Sequence, residues 1–263
     1  MQPTIQQIID ELIAPVGVLA QTVDTLKFGS ADAEVTGIMV AFMPTQFVLE
    51  HAIQVGANLV IAHEGLWYAH HDSGETEDTP VHTAKRRIIK ESGLAVFRFH
   101  DYIHRYQPDG INEGLVRALG WESSIREHQG VATFIELQEM SLRELADYVK
   151  AKLGIPYVRV VGDMEMTCRK LALTTGYRGG GATGIPLLTA DNVDVFLCGE
   201  GPEWETPEYM RDAVHQGRNK ALIVLGHAES EGPGMELLAD RLRERYPAVP
   251  VHYVQEDPIF TLI

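Results

Sequence analysis

One segment of this chain occurs twice. Ala52-Ile53-Gln54-Val55-Gly56, followed by Leu59-Val60-Ile61-Ala62-His63-Glu64, is echoed by Ala213-Val214-His215-Gln216-Gly217, followed by Leu222-Ile223-Val224-Leu225-Gly226-His227-Ala228-Glu229-Ser230-Glu231. Each copy reads as an amphipathic helix closed by a C-terminal glycine, then a short strand apolar on both faces, then a histidine with a carboxylate just past the strand's carboxyl end. Strands of that kind belong to parallel sheets covered by helices, and ligands bind at the carboxyl edge of such sheets. The pattern predicts an α/β protein in which two such strand ends, one with His63 and Glu64 and the other with His227 and Glu231, converge on one site and make a metal centre. Because only two copies occur, the recurrence points to two related α/β halves rather than a solenoid. Chance resemblance between two amphipathic α/β units is the alternative.

The rest of the chain fits this frame. Thr4 is placed to cap a first helix, and residues 35–43 read as a strand. Thr45 opens a helix running to Gly56, residues 58–62 form a strand, and the right-handed crossover rule makes these strands parallel neighbours. Residues 65–80, with Asp72, Gly74, Glu75 and Asp78, read as a polar loop. A Lys/Arg-rich helix over 80–91 ends at Gly93, and strand 94–99 delivers His100. A short helix covers 112–119, a strand 131–137, and Ser141 with Glu144 makes a capping-box start for a helix to Leu153. Strand 171–175 leads into a glycine-rich turn. From Val193 the first unit's order recurs: strand to Cys198, helix 206–217, strand 220–225, then His227. A last helix over 234–245 precedes a closing strand, 249–254.

Charge and cysteine usage restrict the function. With 37 acidic against 22 basic residues and a net charge of −15, the chain is not built to grip nucleic-acid phosphates over a wide surface, although a small pocket for a nucleotide remains compatible. The two cysteines, Cys168 and Cys198, sit in apolar strand-like stretches and form neither a disulfide framework nor a Cys-x-x-Cys clamp, which suits a reduced, cytoplasmic setting. No apolar run approaches the roughly 20 residues of a spanning helix, and the first residues lack a signal peptide's pattern, so no membrane role is expected.

The residues suited to chemistry are His63 and Glu64, His100 and His104, and His227 with Glu231. Imidazole with carboxylate suits zinc, iron or manganese, and the absence of cysteine there disfavours a thiolate site. His100 and His104 are four apart, as are His227 and Glu231, so each pair can share one face of a helical turn that begins where its strand ends. Six donors from three strand ends exceed what one catalytic zinc takes from protein, so two divalent ions are the simpler reading. A bridged pair lowers the pKa of bound water, and hydrolysis is the chemistry favoured. For each histidine the structural alternative is a hydrogen-bonded residue after a strand. Glu64 can also serve as a helix-start anion, and Glu229 competes with Glu231 as ligand. His70, His71 and Asp72 read as a solvated loop. The Gly179-x-Gly181-x-x-Gly184 stretch is followed by Ile185-Pro186, which leaves no room for a dinucleotide-binding helix. It reads as a tight turn, with Arg178 and its amides open to an anion as the functional alternative.

Several motifs, in order, resemble one family. "LVIAHEGLWY", "FRFHDYIHR", "FLCGE", "GHAESE" and "YVQEDPI" are similar to segments of the NIF-three-like proteins, bacterial members of which are labelled GTP cyclohydrolase type 2 homologues. The resemblance covers essentially the whole chain. It implies two interlaced α/β halves with mixed sheets, a dinuclear metal site and a toroidal homohexamer, with GTP cyclohydrolase-like activity as an inherited expectation. On this resemblance, residues 1–125 with 226–263 form one half, carrying most of the metal ligands, and 126–225 the other. His63, His227 and Glu231 match the family's ligands directly. Glu64 stands where a second His is usual, and His104 where the family has Asp, an exchange that keeps the donor count. His100 matches a preceding His and is the expected proton-transfer group, with Glu64 the other catalytic candidate. Two readings follow: a metal-dependent hydrolase of a small anionic, nucleotide-like substrate, or a non-catalytic metal-binding protein whose oligomer presents a surface to partners.

Overall fold

The computed structural model describes residues 2–71, 78–189, 193–261 and 263. The expected loop positions Asp72, Gly74 and Glu75 lie outside the described residues. The chain divides into two compact units, residues 1–110 with 235–256, and residues 111–234 with 257–263.

In the first stretch, helix α1 (Ile5–Ile13) is followed by β1 (Leu26–Phe28), β2 (Ile38–Ala41), α2 (Gln46–Gln54), β3 (Leu59–Ala62), α3 (Pro80–Ser92), β4 (Ala95–Arg98) and the one-turn α4 (Asp101–His104). Local chemistry sets these boundaries. Thr4 accepts from Gln7 N while the Gln7 side chain accepts from Thr4 N, a complete capping box, and Thr45 and Thr79 cap α2 and α3. β2, β3 and β4 are buried at every position, as strands covered on both faces require.

The chain continues through α5 (Gly110–Leu119), β5 (Ile125–Gln129), β6 (Ala132–Ser141), α6 (Leu142–Leu153), β7 (Arg159–Val161), β8 (Thr167–Leu173), α7 (Gly181–Thr189), β9 (Val195–Cys198), α8 (Thr206–His215), β10 (Ala221–Val224), α9 (His227–Arg245) and β11 (Val251–Val254). Two mixed sheets result. The first has the order β1-β4-β3-β2-β11, parallel except for the β1/β4 edge pair. The second has the order β5-β6-β8-β9-β10-β7, with β8, β9 and β10 parallel and the flanking strands antiparallel. The fold class is thus the α/β one expected, with two mixed sheets.

The sequence echo is also an echo of local geometry. After α2, Gly56 N donates to Ile53 O at 3.1 Å and Ala57 N to Ala52 O at 2.9 Å; after α8, Gly217 N donates to Val214 O at 2.9 Å and Arg218 N to Ala213 O at 3.0 Å. Both glycines are left-handed (φ +75° and +71°), so each helix closes in the same Schellman turn before its strand. Three short strands escaped the sequence reading, β1, β5 and β7; β5 and β7 are edge strands of the second sheet with mostly exposed or half-buried positions, so they carry no apolar run. The last helix begins at His227 rather than at residue 234, because Pro233 is accommodated inside α9 instead of opening it. The glycine-rich stretch, expected as a tight turn, itself opens a short helix, α7, which starts at Gly181, spans nine residues and tolerates Pro186 within it.

Candidate metal centre

In the first unit, three histidines expected from sequence come together. His63 follows β3, His100 is the N-cap of α4 and His104 its last residue, so the four-residue spacing places both rings of α4 on one side. Ring centroids are 4.6 Å apart for His63 and His100, and 5.0 Å for His104 with each of the others. Each offers a donor atom within 4.8 Å of the others', a spacing that suits ligands of one ion. His63 is fully buried.

The rings are oriented by oxygen acceptors. His63 Nδ1 lies 3.1 Å from Phe99 O, His100 Nδ1 3.0 Å from Asp101 Oδ1, and His104 Nδ1 3.0 Å from Asp109 Oδ2. A carbonyl or ionised carboxylate only accepts, so each Nδ1 carries the proton and each Nε2 the lone pair, the tautomer that metal-ligating histidines adopt. Burial, reinforced by the neighbouring His63 and His104, lowers His100 to about 3, against weaker opposition from Glu64 and Asp101. Its ring is therefore neutral at physiological pH. Burial acts to raise Asp101, but hydrogen bonds from Val23 N, the His100 ring and the Thr22 hydroxyl outweigh it and bring Asp101 to about 2.

Two groups that sequence reasoning missed hold this cluster. Asp24 accepts from the backbone N–H groups of His100 (2.9 Å), Asp101 (3.0 Å) and Tyr102 (2.9 Å), satisfying the start of a helix too short to stand alone. Desolvation still raises its pKa, partly offset by these three donors. The second is Arg98, fully buried at the end of β4. It donates to His63 O at 3.3 Å, to the Glu64 carboxylate at 3.1 Å, and to His70 O, with His70 Nδ1 3.3 Å away. One guanidinium thus ties both ends of the segment from His63 to His70. Glu64, expected as a ligand and catalytic group, is paired with Arg98 and lies 3.9 Å from His100 Nε2. His70 and His71 are exposed, as expected of a solvated loop, and the His70 ring packs at 5.1 Å on His100 and 4.8 Å on His71.

The second unit carries the other pair. His227 opens α9 immediately after β10, and Glu231, one turn on and 2% exposed, places Oε2 at 3.1 Å from His227 Nε2. His227 Nδ1 lies 2.8 Å from Glu200 Oε1, so the ring is held between two carboxylates, Glu200 on one nitrogen and Glu231 on the other. Glu200, two residues past β9, was visible in "FLCGE" but was given no role there. Ser230 locks the turn: its hydroxyl accepts from Gly176 N at 2.9 Å and donates to His227 O at 2.8 Å. Gly176 has φ +59°, and a Cβ there would overlap Glu231 Oε1, so the backbone of the glycine-rich turn comes against the carboxylate at a distance only glycine permits. Glu229 lies instead against Gly226. Of the loop amides once open to an anion, Gly181 N donates to Glu205 Oε2 at 2.6 Å, so an internal carboxylate already fills the start of α7. Cys168 and Cys198 are free and buried, both raised to about 12 by desolvation, which makes them inert. Among the described residues no helix is long and apolar enough to cross a membrane.

Mixed α/β sheets that deliver oriented histidines and carboxylates from their strand ends define a protein class with candidate metal-ligand groups. The model of the DUF34/NIF3 family, NGG1p interacting factor 3, matches residues 4–258, and the chain belongs to that family. Relatives named "GTP cyclohydrolase 1 type 2 homolog" include one from Clostridium perfringens, 26% identical over 247 residues that cover 90% of this chain and 89% of the relative, and one from Clostridium acetobutylicum, 28% identical over 229 residues that cover 82% and 80%. The fold is shared with a Staphylococcus aureus hypothetical protein (TM-score 0.79, 21% identity, 100% of both chains) and with a Bacillus cereus protein related to NIF3 (TM-score 0.80, 16% identity, 100% of this chain and 99% of that one).

Proposed function

We propose that this chain binds two divalent transition-metal ions through His63, Glu64, His104, His227 and Glu231, and that it is a metal-dependent hydrolase of a small anionic, nucleotide-like substrate. The observation that carries the reading is the clustering of His63, His100 and His104, whose donor atoms lie within 4.8 Å of one another while each turns Nδ1 to an oxygen. Nitrogen with carboxylate and no thiolate fits zinc, iron or manganese, so the donor set suits the proposed ions. Ions bound there would polarise a substrate oxygen and supply hydroxide at neutral pH.

The chain's own residues do the rest. Asp109 and Glu200 hold their histidines in the ligating tautomer and raise ring basicity. Arg98, 3.1 Å from the Glu64 carboxylate, fixes Glu64 in direction. His100, neutral and backed by Asp101, takes up a proton from the attacking water when a substrate's negative charge raises its proton affinity. The relatives' name makes GTP the first substrate to try. The test is elemental analysis of untagged protein followed by turnover of GTP and simple phosphoesters with manganese, zinc or iron. We expect about two ions per chain, and activity lost in His63→Ala and His227→Ala. Fewer than about one ion per chain after reconstitution would end the metal reading.

One observation favours a second reading. A ring that titrates at about 3 is a poor proton carrier at neutral pH and a good ligand, so His100 also fits a protein that holds metal without turnover. Tight metal binding with no hydrolysis across the substrate panel would select that reading, in which a homohexamer presents the surface.

A further inference from the structure

The second unit contains a cavity of about 220 Å³ that the metal-binding reading does not use. It opens at the carboxyl ends of the parallel strands β9 and β10, against the first turns of α8. That edge is where α/β sheets receive ligands. Strand register explains its floor: Val224 pairs with Cys198 on one side and Arg159 on the other, and Leu222 pairs with Val161, so these side chains share one face of the sheet. The floor is apolar, and the mouth carries two arginines together with the two glutamates that pair with them, Glu203 and Glu208. Arg159 stands at one side and Arg211, from α8, at the other.

A water's share of liquid volume is about 30 Å³, so the cavity holds roughly seven waters. Against valine and leucine walls such water has few partners, and its release favours an apolar guest. The arginines say what the guest's other end is. Arg159 Nη1 is 2.9 Å from Glu203 Oε1, and Arg211 Nη1 is 3.1 Å from Glu208 Oε2. Each guanidinium therefore already holds a carboxylate of its own chain. Both pairs are solvent-exposed and so weak, which makes replacing those carboxylates by another cheap.

We propose that this cavity binds a small carboxylic acid with an apolar body of roughly six to nine carbon atoms, seated on Val161, Leu222, Val224 and Cys198 with its carboxylate at Arg159 and Arg211. Cys198 and Gly201 bracket Glu200, so an occupant lies against the strand end that orients His227. The site is independent of metal: its residues are none of the ligands.

The probe is 3-phenylpropionate, titrated calorimetrically into the full chain, with 3-phenylpropanol (no charge) and acetate (no body) as controls. We expect saturable sub-millimolar binding of the acid, at least about 10-fold weaker binding of both controls, and about a 10-fold loss for Arg159→Ala or Arg211→Ala. Val161→Trp, which fills the cavity, should abolish binding. Since that variant carries a risk of misfolding, the exposed Arg211→Ala decides the matter alone if it fails. Absence of saturable binding at about 10 mM, equal binding of the alcohol, or binding unchanged in Arg211→Ala would each overturn the proposal.

Discussion

Replacing Gly176 by alanine tests the architecture of the second cluster most directly. The perturbation has two parts. At φ +59° an L side chain pays the left-handed penalty, about 1–2 kcal/mol. The added Cβ also overlaps Glu231 Oε1 and comes within 2.9 Å of its carboxyl carbon and 3.1 Å of His227 Nε2, an overpacking cost of about 1–3 kcal/mol. Gly217→Ala supplies the control, because at φ +71° it pays the same backbone penalty with nothing within 4 Å of the new Cβ. The difference between the two variants isolates the clash. At about 2–4 °C per kcal/mol for a chain of this size, calorimetry should place Gly176→Ala roughly 2–12 °C below Gly217→Ala. Displacing Glu231 should also lower the metal content proposed for His227 and Glu231, while Gly217→Ala leaves it unchanged. Equal melting temperatures together with equal metal content would refute the claim that the glycine turn holds this carboxylate in place.

Further outcomes follow from single groups. Lys85 is fully buried, donates to Leu66 O at 2.8 Å and lies over the Tyr68 ring, and burial lowers it from 10.5 to about 8. Below pH 8 it is protonated both folded and unfolded, so the full penalty of burying charge stands; between pH 8 and 10.5 the unfolded chain holds the proton more firmly, and stability rises with pH. Denaturant titrations should show the wild type gaining about 3 kcal/mol over that window relative to Lys85→Met, and parallel pH profiles would contradict it. Asp109→Asn and Glu200→Gln, which take the negative charge off the acceptors behind His104 and His227, should each weaken metal binding about 10–100-fold in competition with a chelator, with little change in fold. Arg98→Met should lower stability by about 3–5 kcal/mol in chemical denaturation, because it leaves the Glu64 carboxylate and two carbonyls without their buried cation.

Much of this arrangement was legible because it is local. Helix ends were written in Thr4, Thr45, Ser141, Gly56 and Gly93, whose effects act within one turn, and the i, i+4 spacings of His100 with His104 and His227 with Glu231 survived folding intact. What stayed hidden depends on distant partners. Asp24 reaches the His100 amide across 76 positions and Arg98 reaches Glu64 across 34, and nothing in either neighbourhood announces the pairing. The short strands β1 and β7 and the helix α7 defeated periodicity for different reasons. Three-residue strands are too brief to show a period, and Gly181 and Pro186 argue against helix locally while packing favours it.

The first sheet completes itself with its last strand, β11, pairing Val251 to Ile38 and Val254 to Ala41 in parallel, while Arg245 and Tyr246 reach back to Glu11. On a ribosome that adds roughly 5–20 residues per second, β2 waits some ten to forty seconds for that neighbour. The contiguous stretch 111–234 has all of its sheet partners in hand once β10 is made, roughly two to six seconds before β11. Vectorial translation therefore imposes an order, with the later-made unit finishing first. The nascent β2, apolar on both faces and lacking one flank, is the place where a holding chaperone or a stray copy would meet this protein first.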